Sequence, residues 1–486
     1  MEGAIKEDSR RHLYAVTALF CVGVVLRVIA VGREPLWGDE ALTLLISQWP
    51  ARDLFLAPID PTPGLYYVLH KALIGPHAGV VAARSISVVC GSLVPLATYA
   101  LGKSAGGRSV GLASMALTAL SFPLIDYSQE ARAYSLLVLV VTLSAAAFLW
   151  WARSNRTLAL YCFAASLLLC VYVHFVAIFW VVPISVGALA LKRSRELGLA
   201  LGVVFLASVP EIVRLVSYPS DVFSWLGQPT ASDAIVEIGR AFVPFAPIWP
   251  VAAGLLCLLA WFGARQRWSP EVALALGVLL LAPALMWLFG YAAKPLFMGR
   301  TILIAIPAFF VALSLCFKGR PWTMSAIVAA YALNLLWTGT TRPKPDWASA
   351  AAMLTKATPG DVVILCPAWE AAAFRHAVHS AIPAPLVLEW ENGFMMAEPA
   401  LGSNRDWVHS YFVNLSAPTG DRQRAFEAGG KALASAGRVW RVEHRPECAK
   451  RRFMPTRMAL DVEIGTTSVS RDSQTVSSAV PSQPQR

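Results

Sequence analysis

The sequence predicts a polytopic α-helical membrane protein of about eleven transmembrane helices, followed by a small C-terminal α/β domain. Three observations carry this prediction. Hydrophobic residues make up 56% of the 486 positions and charged residues only 15%, whereas a soluble globular chain carries about 25% charged residues. Apolar runs near the roughly 20 residues needed to cross a bilayer recur along the first 340 positions. Beyond them the composition changes to that of a folded polar domain. Length alone would suggest about three soluble domains, and the composition overrules it.

The apolar runs lie at 13–31, 80–101, 110–127, 134–151, 158–175, 176–191, 197–216, 244–262, 272–291, 296–317 and 322–337. The first follows Lys6, Arg10 and Arg11, lacks a small-residue cleavage site and is followed by further runs, so it is expected to stay as an anchor. Arg27, near its outer end, is expected to snorkel or to pair. The stretch 65–74, LYYVLHKALI, is too short to span at about 1.5 Å per residue. It reads as an interfacial helix whose Tyr66 and Tyr67 suit the headgroup zone.

The charge pattern supports that count. The net charge of +11 could point to nucleic acid in a soluble protein, but the basic residues sit in clusters between apolar runs. With 65–74 outside the span count and the N-terminus inside, Lys103 and Arg108, Arg153 and Arg156, Lys192 to Arg195, Arg265 and Arg267, and Lys318 and Arg320 all fall on the cytoplasmic side. The positive-inside rule favours this arrangement, which leaves the C-terminal region outside and gives no reason to expect nucleic acid as a partner.

Three segments are expected: a membrane module at 1–340 with its first outer loop at about 32–79, an outer α/β domain at 341–460, and a disordered tail at 461–486. In the outer domain, 348–356 reads as a helix, Pro359-Gly360-Asp361 as a turn, and 362–365, 385–389 and 439–442 as strands. The tail is rich in Ser, Thr and Gln with almost no large apolar residues. Of the eight cysteines, six lie in apolar runs as small hydrophobes. Cys366 and Cys448 lie in the outer region and could pair there.

With this topology the unusual polar residues gather on the outer side. Trp37, Gly38, Asp39 and Glu40 follow the first span; Asp60, Pro61 and Pro63 lie in the first loop; Gln129, Glu130, Arg132 and Tyr134 end the third span. His174 ends the fifth, Glu211 and Arg214 end the seventh, and Lys294 and Arg300 lie between the ninth and tenth. Charges at a lipid boundary are costly unless paired or wet, which makes them functional candidates. The types suit one reaction: a carboxylate, Asp39 or Glu40, takes the proton of an attacking hydroxyl. Fixed cations, Arg132, Lys294 and Arg300, hold a lipid-phosphate leaving group. Each has a structural reading as well. Asp39 and Glu40 could begin a helix, Glu130 and Arg132 could form an interfacial pair, Arg300 could snorkel, His174 could be a boundary histidine, and Glu211 could pair with Arg214 one turn away.

WGDE at 37–40, DPTPGLYY at 60–67 and YSQEARAY at 127–134 resemble the multipass bacterial relatives of protein O-mannosyltransferases and aminoarabinose transferases. Those enzymes share the C-type glycosyltransferase fold. KPLFMGR before an apolar helix, and DW followed by PGDVVIL at the start of the outer domain, extend the likeness to all but the tail. The resemblance implies a polyprenyl-phosphate sugar donor, transfer of a hexosyl or pentosyl unit to a lipid, protein or polysaccharide acceptor, and a catalytic acid at Asp39 with Glu40 beside it. It also implies a bacterial inner membrane, a cytoplasmic N-terminus and a periplasmic C-terminal domain. One departure stands out: many relatives carry His or Lys before Pro-Pro in the second motif, where this chain has Asp60-Pro61-Thr62-Pro63-Gly64. Metal use varies within the superfamily, and a divalent metal stays open without a His-rich ligand set. Asp39, Glu40, Asp60, Glu130, Arg132 and Arg300 are expected to share one outer cavity. A transporter or flippase, a non-catalytic scaffold, and a lipid-linked polysaccharide polymerase or ligase are the competing readings.

Overall fold

A computed structural model describes the chain apart from residues 1, 57–59, 61, 76–77, 218–228, 243–267, 294–295, 343, 345–353, 367–370, 372, 375–383, 385, 391–392, 397–419, 445–461, 469–473 and 482–486. The chain divides into two compact units. One comprises Met1–Val31, Ala51–His70 and Val81–Arg342; the other comprises Gly32–Pro50, Lys71–Val80 and Pro343–Arg486.

The first unit is helical. Six described helices are long and apolar enough to cross a bilayer: Glu7–Val28, Val80–Gly106, Tyr134–Ser154, Arg195–Val216, Pro270–Ala292 and Gly299–Cys316. Arg108–Leu120 and Phe122–Gln129 meet the same test only as a pair, bent by 64° at the break between them. The expected spans at 158–175 and 176–191 are the shorter apolar helices Thr157–Val173 and Phe175–Leu191, and 322–337 falls in the helix Pro321–Thr338. The run at 244–262 lies outside the described residues.

The break between these two helices has a local cause. Ser121 is extended, and Pro123 opens the next helix, where a missing N–H costs nothing. Arg27 then caps the broken end. Its guanidinium donates to the carbonyls of Gly23 at 2.9 Å, Thr118 at 3.3 Å and Ala119 at 3.4 Å, and it is wholly buried. A cation is favoured at the last carbonyls of a helix. Instead of snorkelling, Arg27 therefore fixes the end of the helix that precedes the YSQEAR segment.

The stretch after Gly64 forms the nine-residue helix Leu65–Leu73, about 14 Å long and too short to span. Its tyrosines do not occupy a headgroup-like surface. Tyr66 and Tyr67 are buried, because each hydroxyl finds a partner inside the unit, Ser87 at 2.9 Å and Asp60 at 2.8 Å. Gly64 sits directly on the backbone of Leu54: an added Cβ would lie 2.6 Å from the Leu54 carbonyl carbon, so no larger residue fits.

The second unit contains the helix Gly38–Ile46 and a six-stranded sheet of order β3-β2-β1-β4-β6-β5. The strands are β1 Val362–Cys366, β2 Leu386–Trp390, β3 Gly393–Met396, β4 Val439–His444, β5 Val462–Ser468 and β6 Gln474–Pro481. β1 is parallel to both neighbours, with Val363 opposite Leu386 and Trp440, and all five of its residues are buried. That explains its unbroken apolar run. The helix Gly420–Ala434 packs Ala428, Ala432 and Leu433 against Val362 and Val387. The expected turn and strands agree with this sheet, while most of the helix expected at 348–356 lies outside the described residues. Where composition predicts a disordered tail, β5 and β6 pair antiparallel with each other, and β6 with β4. Their Thr, Val and Ile suit a pleated strand, and backbone pairing does not need large side chains. Cys366 is disulfide-bonded; Cys448 lies outside the described residues.

Candidate functional site

The bend at Ser121 aims the segment Asp126–Arg132 back into the first unit. Gly91 makes room for it: a Cβ there would stand 2.6 Å from the Cβ of Ser128. Asp126, 1% exposed, accepts from the backbone N–H of Arg342 at 2.9 Å and from its guanidinium. The same guanidinium stands 3.8 Å from the buried carboxylate of Glu130 and lies over the ring of Tyr127.

Arg132 is 7% exposed. Its Nη1 donates to the Tyr67 hydroxyl at 3.3 Å, and that hydroxyl donates to Asp60 Oδ1 at 2.8 Å. Asp60 Oδ1 also accepts from the Thr62 N–H at 2.8 Å. Arg132 is held from the other side as well, its carbonyl accepting from Ser87 Oγ at 2.9 Å. Arg214 pairs with Glu211 at 2.7 Å, as the one-turn spacing predicts. It also donates to the carbonyl of Asp60 at 2.7 Å, a link across 154 residues that spacing does not show.

His174 ends the helix Thr157–Val173 and caps the next turn, its Nδ1 accepting from the Val176 N–H at 3.2 Å. The His174 ring lies 5.4 Å from that of Tyr134, and the Arg300 guanidinium lies 5.8 Å from the Tyr134 centroid. Arg300 Nε also contacts Met298 Sδ at 3.1 Å. The first unit thus links Asp60 to Arg132 through Tyr67, and His174 to Arg300 through Tyr134. Lys294 lies outside the described residues.

Asp39 and Glu40 belong to the second unit. Both lie in the first turn of the helix Gly38–Ile46, where negative charge is favoured. Glu40 is fully buried. Its Oε2 accepts from Lys344 Nζ at 2.9 Å and from the Trp37 N–H at 3.4 Å. Lys344 uses its own N–H on Glu34 Oε2 at 3.0 Å. Asp39 is half-buried, and its carbonyl accepts from Thr43 Oγ1 at 3.1 Å.

Sequence reasoning missed Asp126, Arg342, Lys344 and Tyr67. Asp126 hides near the end of an apolar run, and Arg342 and Lys344 lie in what reads as a Pro-rich linker, TRPKP. Among the described residues, no three His, Cys, Asp or Glu side chains converge as metal ligands.

No family model matches the sequence, and no curated protein matches it. Solved structures do match. Over 97% of this chain and 99% of that one, it is similar to ArnT from Cupriavidus metallidurans bound to undecaprenyl phosphate, with a TM-score of 0.60 at 15% identity. The Archaeoglobus fulgidus oligosaccharyltransferase in complex with Zn and sulfate matches at a TM-score of 0.52 and 12% identity, over 88% of this chain and 68% of that one. AglB from the same organism, in complex with an inhibitory peptide and a dolichol-phosphate, matches at 0.52 and 10%, over 90% and 70%. These likenesses show the fold: the chain has the membrane-protein architecture shared by ArnT and the oligosaccharyltransferase.

Proposed function

We propose that this chain is a glycosyltransferase that moves a sugar from a polyprenyl-phosphate-linked donor to an acceptor at the outer face of the membrane. The observation that carries the reading is that Arg132, held by the Tyr67 hydroxyl, and Arg300, set over the ring of Tyr134 two residues on from Arg132, both lie in the first unit, in a fold whose ArnT neighbour was solved with undecaprenyl phosphate. A guanidinium group offers a planar fork for phosphate oxygens. Arg132 and Arg300, with Lys294, hold the donor phosphate; Arg214 is occupied by Glu211 and the Asp60 carbonyl.

In the reaction an acceptor hydroxyl attacks the anomeric carbon, the new C–O bond forms, and the bond to the phosphate oxygen breaks. Polyprenyl phosphate leaves with the electron pair, and the arginines stabilise its charge. Asp39 takes the proton of the acceptor. Glu40, committed to Lys344 and to its helix start, serves as a positioning residue for that turn. The transferred unit is a hexose or pentose, and the acceptor a lipid, protein or polysaccharide of a bacterial envelope.

The orientation follows the positive-inside rule, and the disulfide at Cys366 suits an oxidising periplasm. Binding of undecaprenyl phosphate to the purified chain in nanodiscs tests the reading. Arg132→Ala and Arg300→Ala should each weaken it at least about tenfold, the effect of one charge-assisted hydrogen bond. Unchanged binding in both removes the assignment.

A further inference from the structure

Asp60 poses a problem of sign. A carboxylate joined through one hydroxyl to the guanidinium proposed to hold the donor phosphate would repel that phosphate. The structure shows what the carboxylate does. Asp60 is 4% exposed, and its Oδ1 takes two donors, the Thr62 N–H and the Tyr67 hydroxyl, both at 2.8 Å. Its backbone carbonyl is gripped by Arg214. The carboxylate is thus spent on internal partners.

Tyr67 gives this a direction. A phenol has one proton. Burial, the largest influence, pushes its pKa well above the usual value, so the proton stays on. It is donated to Asp60, and the oxygen is left to accept from Arg132 Nη1 at 3.3 Å. Gly64, which admits no Cβ against Leu54, holds the start of the helix that carries Tyr67. Ser87 ties the two sides together, meeting the Tyr66 hydroxyl at 2.9 Å and donating to the Arg132 carbonyl at 2.9 Å.

We propose that Asp60 and Tyr67 are positioning residues that fix the guanidinium of Arg132 for the donor phosphate, so that this motif supplies its cation indirectly. The proposal rests on the reading of Arg132 as a phosphate contact. Asp60 orients the Tyr67 hydroxyl, and the hydroxyl fixes one edge of the arginine fork. Pre-orientation of a long side chain lowers the entropy lost on binding.

The test is a double-mutant cycle on undecaprenyl phosphate binding by the full-length chain in nanodiscs. Tyr67→Phe keeps the ring and should weaken binding about tenfold, the worth of a hydrogen bond to a charged group. Asp60→Ala should weaken it similarly, and Asp60→Asn, which keeps an acceptor oxygen, should recover most of the loss. Arg132→Ala combined with Tyr67→Phe should be no weaker than Arg132→Ala alone. Losses that multiply, or a Tyr67→Phe variant that binds like the parent, overturn the relay while leaving the phosphate contact standing. Unchanged binding in Arg132→Ala overturns the phosphate contact itself and the relay with it. Thermal unfolding of each variant separates these outcomes from loss of fold.

Discussion

Lys344 Nζ stands 2.9 Å from Glu40 Oε2, with the two side chains 7% and 0% exposed. A pair this buried is costly to break from one side, because the remaining charge loses both its partner and water. Within the second unit, Lys344 is therefore fastened to the WGDE turn by its side chain and to Glu34 by its backbone N–H.

Lys344→Met should destabilise the chain by about 3–5 kcal/mol, and Glu40→Gln in the same background should recover part of it, since neither charge is then stranded. Thermal unfolding in detergent measures both. A Lys344→Met variant as stable as the parent would show that the pair contributes nothing.

Gly91→Ala should displace Ser128 and the YSQEAR segment behind it, because the new Cβ would fall 2.6 Å from that of Ser128. A shift of about 1 Å at a site can lower the rate about a hundredfold. Ser128→Gly in the same chain should restore much of the activity by removing the obstructing atoms. Equal activity of Gly91→Ala and the parent, measured as sugar transfer, would separate the segment from the chemistry.

Asp361 should make the sheet of the second unit acid-sensitive. Burial works against its charge, but hydrogen bonds from Arg438 at 2.9 and 3.1 Å, the Thr358 N–H and Trp440 Nε1 outweigh it. They hold its carboxyl well below the usual carboxylate range. A depressed folded pKa gives stability that is present above the unfolded value of about 4 and lost as pH falls below it. Unfolding followed between pH 6 and pH 2 should show a loss in the parent below about pH 4 that Asp361→Asn lacks. Identical profiles would assign the acid sensitivity elsewhere.

Much of this architecture is legible in the sequence because its cause is local. Apolar runs such as 134–151 and the all-buried strand Val362–Cys366 announce themselves by composition and length. Asp60, Arg132, His174 and Arg300 stand out because ionisable groups beside lipid need a reason to be there. What stayed hidden depends on partners far along the chain. Arg342 meets Asp126 across 216 residues, and Tyr67 meets Arg132 across 65. Neither periodicity nor spacing encodes such a meeting. The strands at Val462–Ser468 and Gln474–Pro481 were concealed for another reason. Their stabilisation includes backbone pairing of the two strands with each other and of the second with β4, to which a count of large apolar side chains is blind.

Sugar transfer with Asp39 as base is tested by mass spectrometry of cell-envelope glycans. Cells with the parent chain, with Asp39→Asn and with no copy are compared, with membrane levels of the protein matched by immunoblot. General-base catalysis contributes about 10² to 10⁴ in rate, so Asp39→Asn should lose the same sugar unit that deletion loses while the protein still accumulates. A glycan profile unchanged by deletion would contradict the transferase reading. A profile lost on deletion yet normal in Asp39→Asn would contradict the role given to that carboxylate.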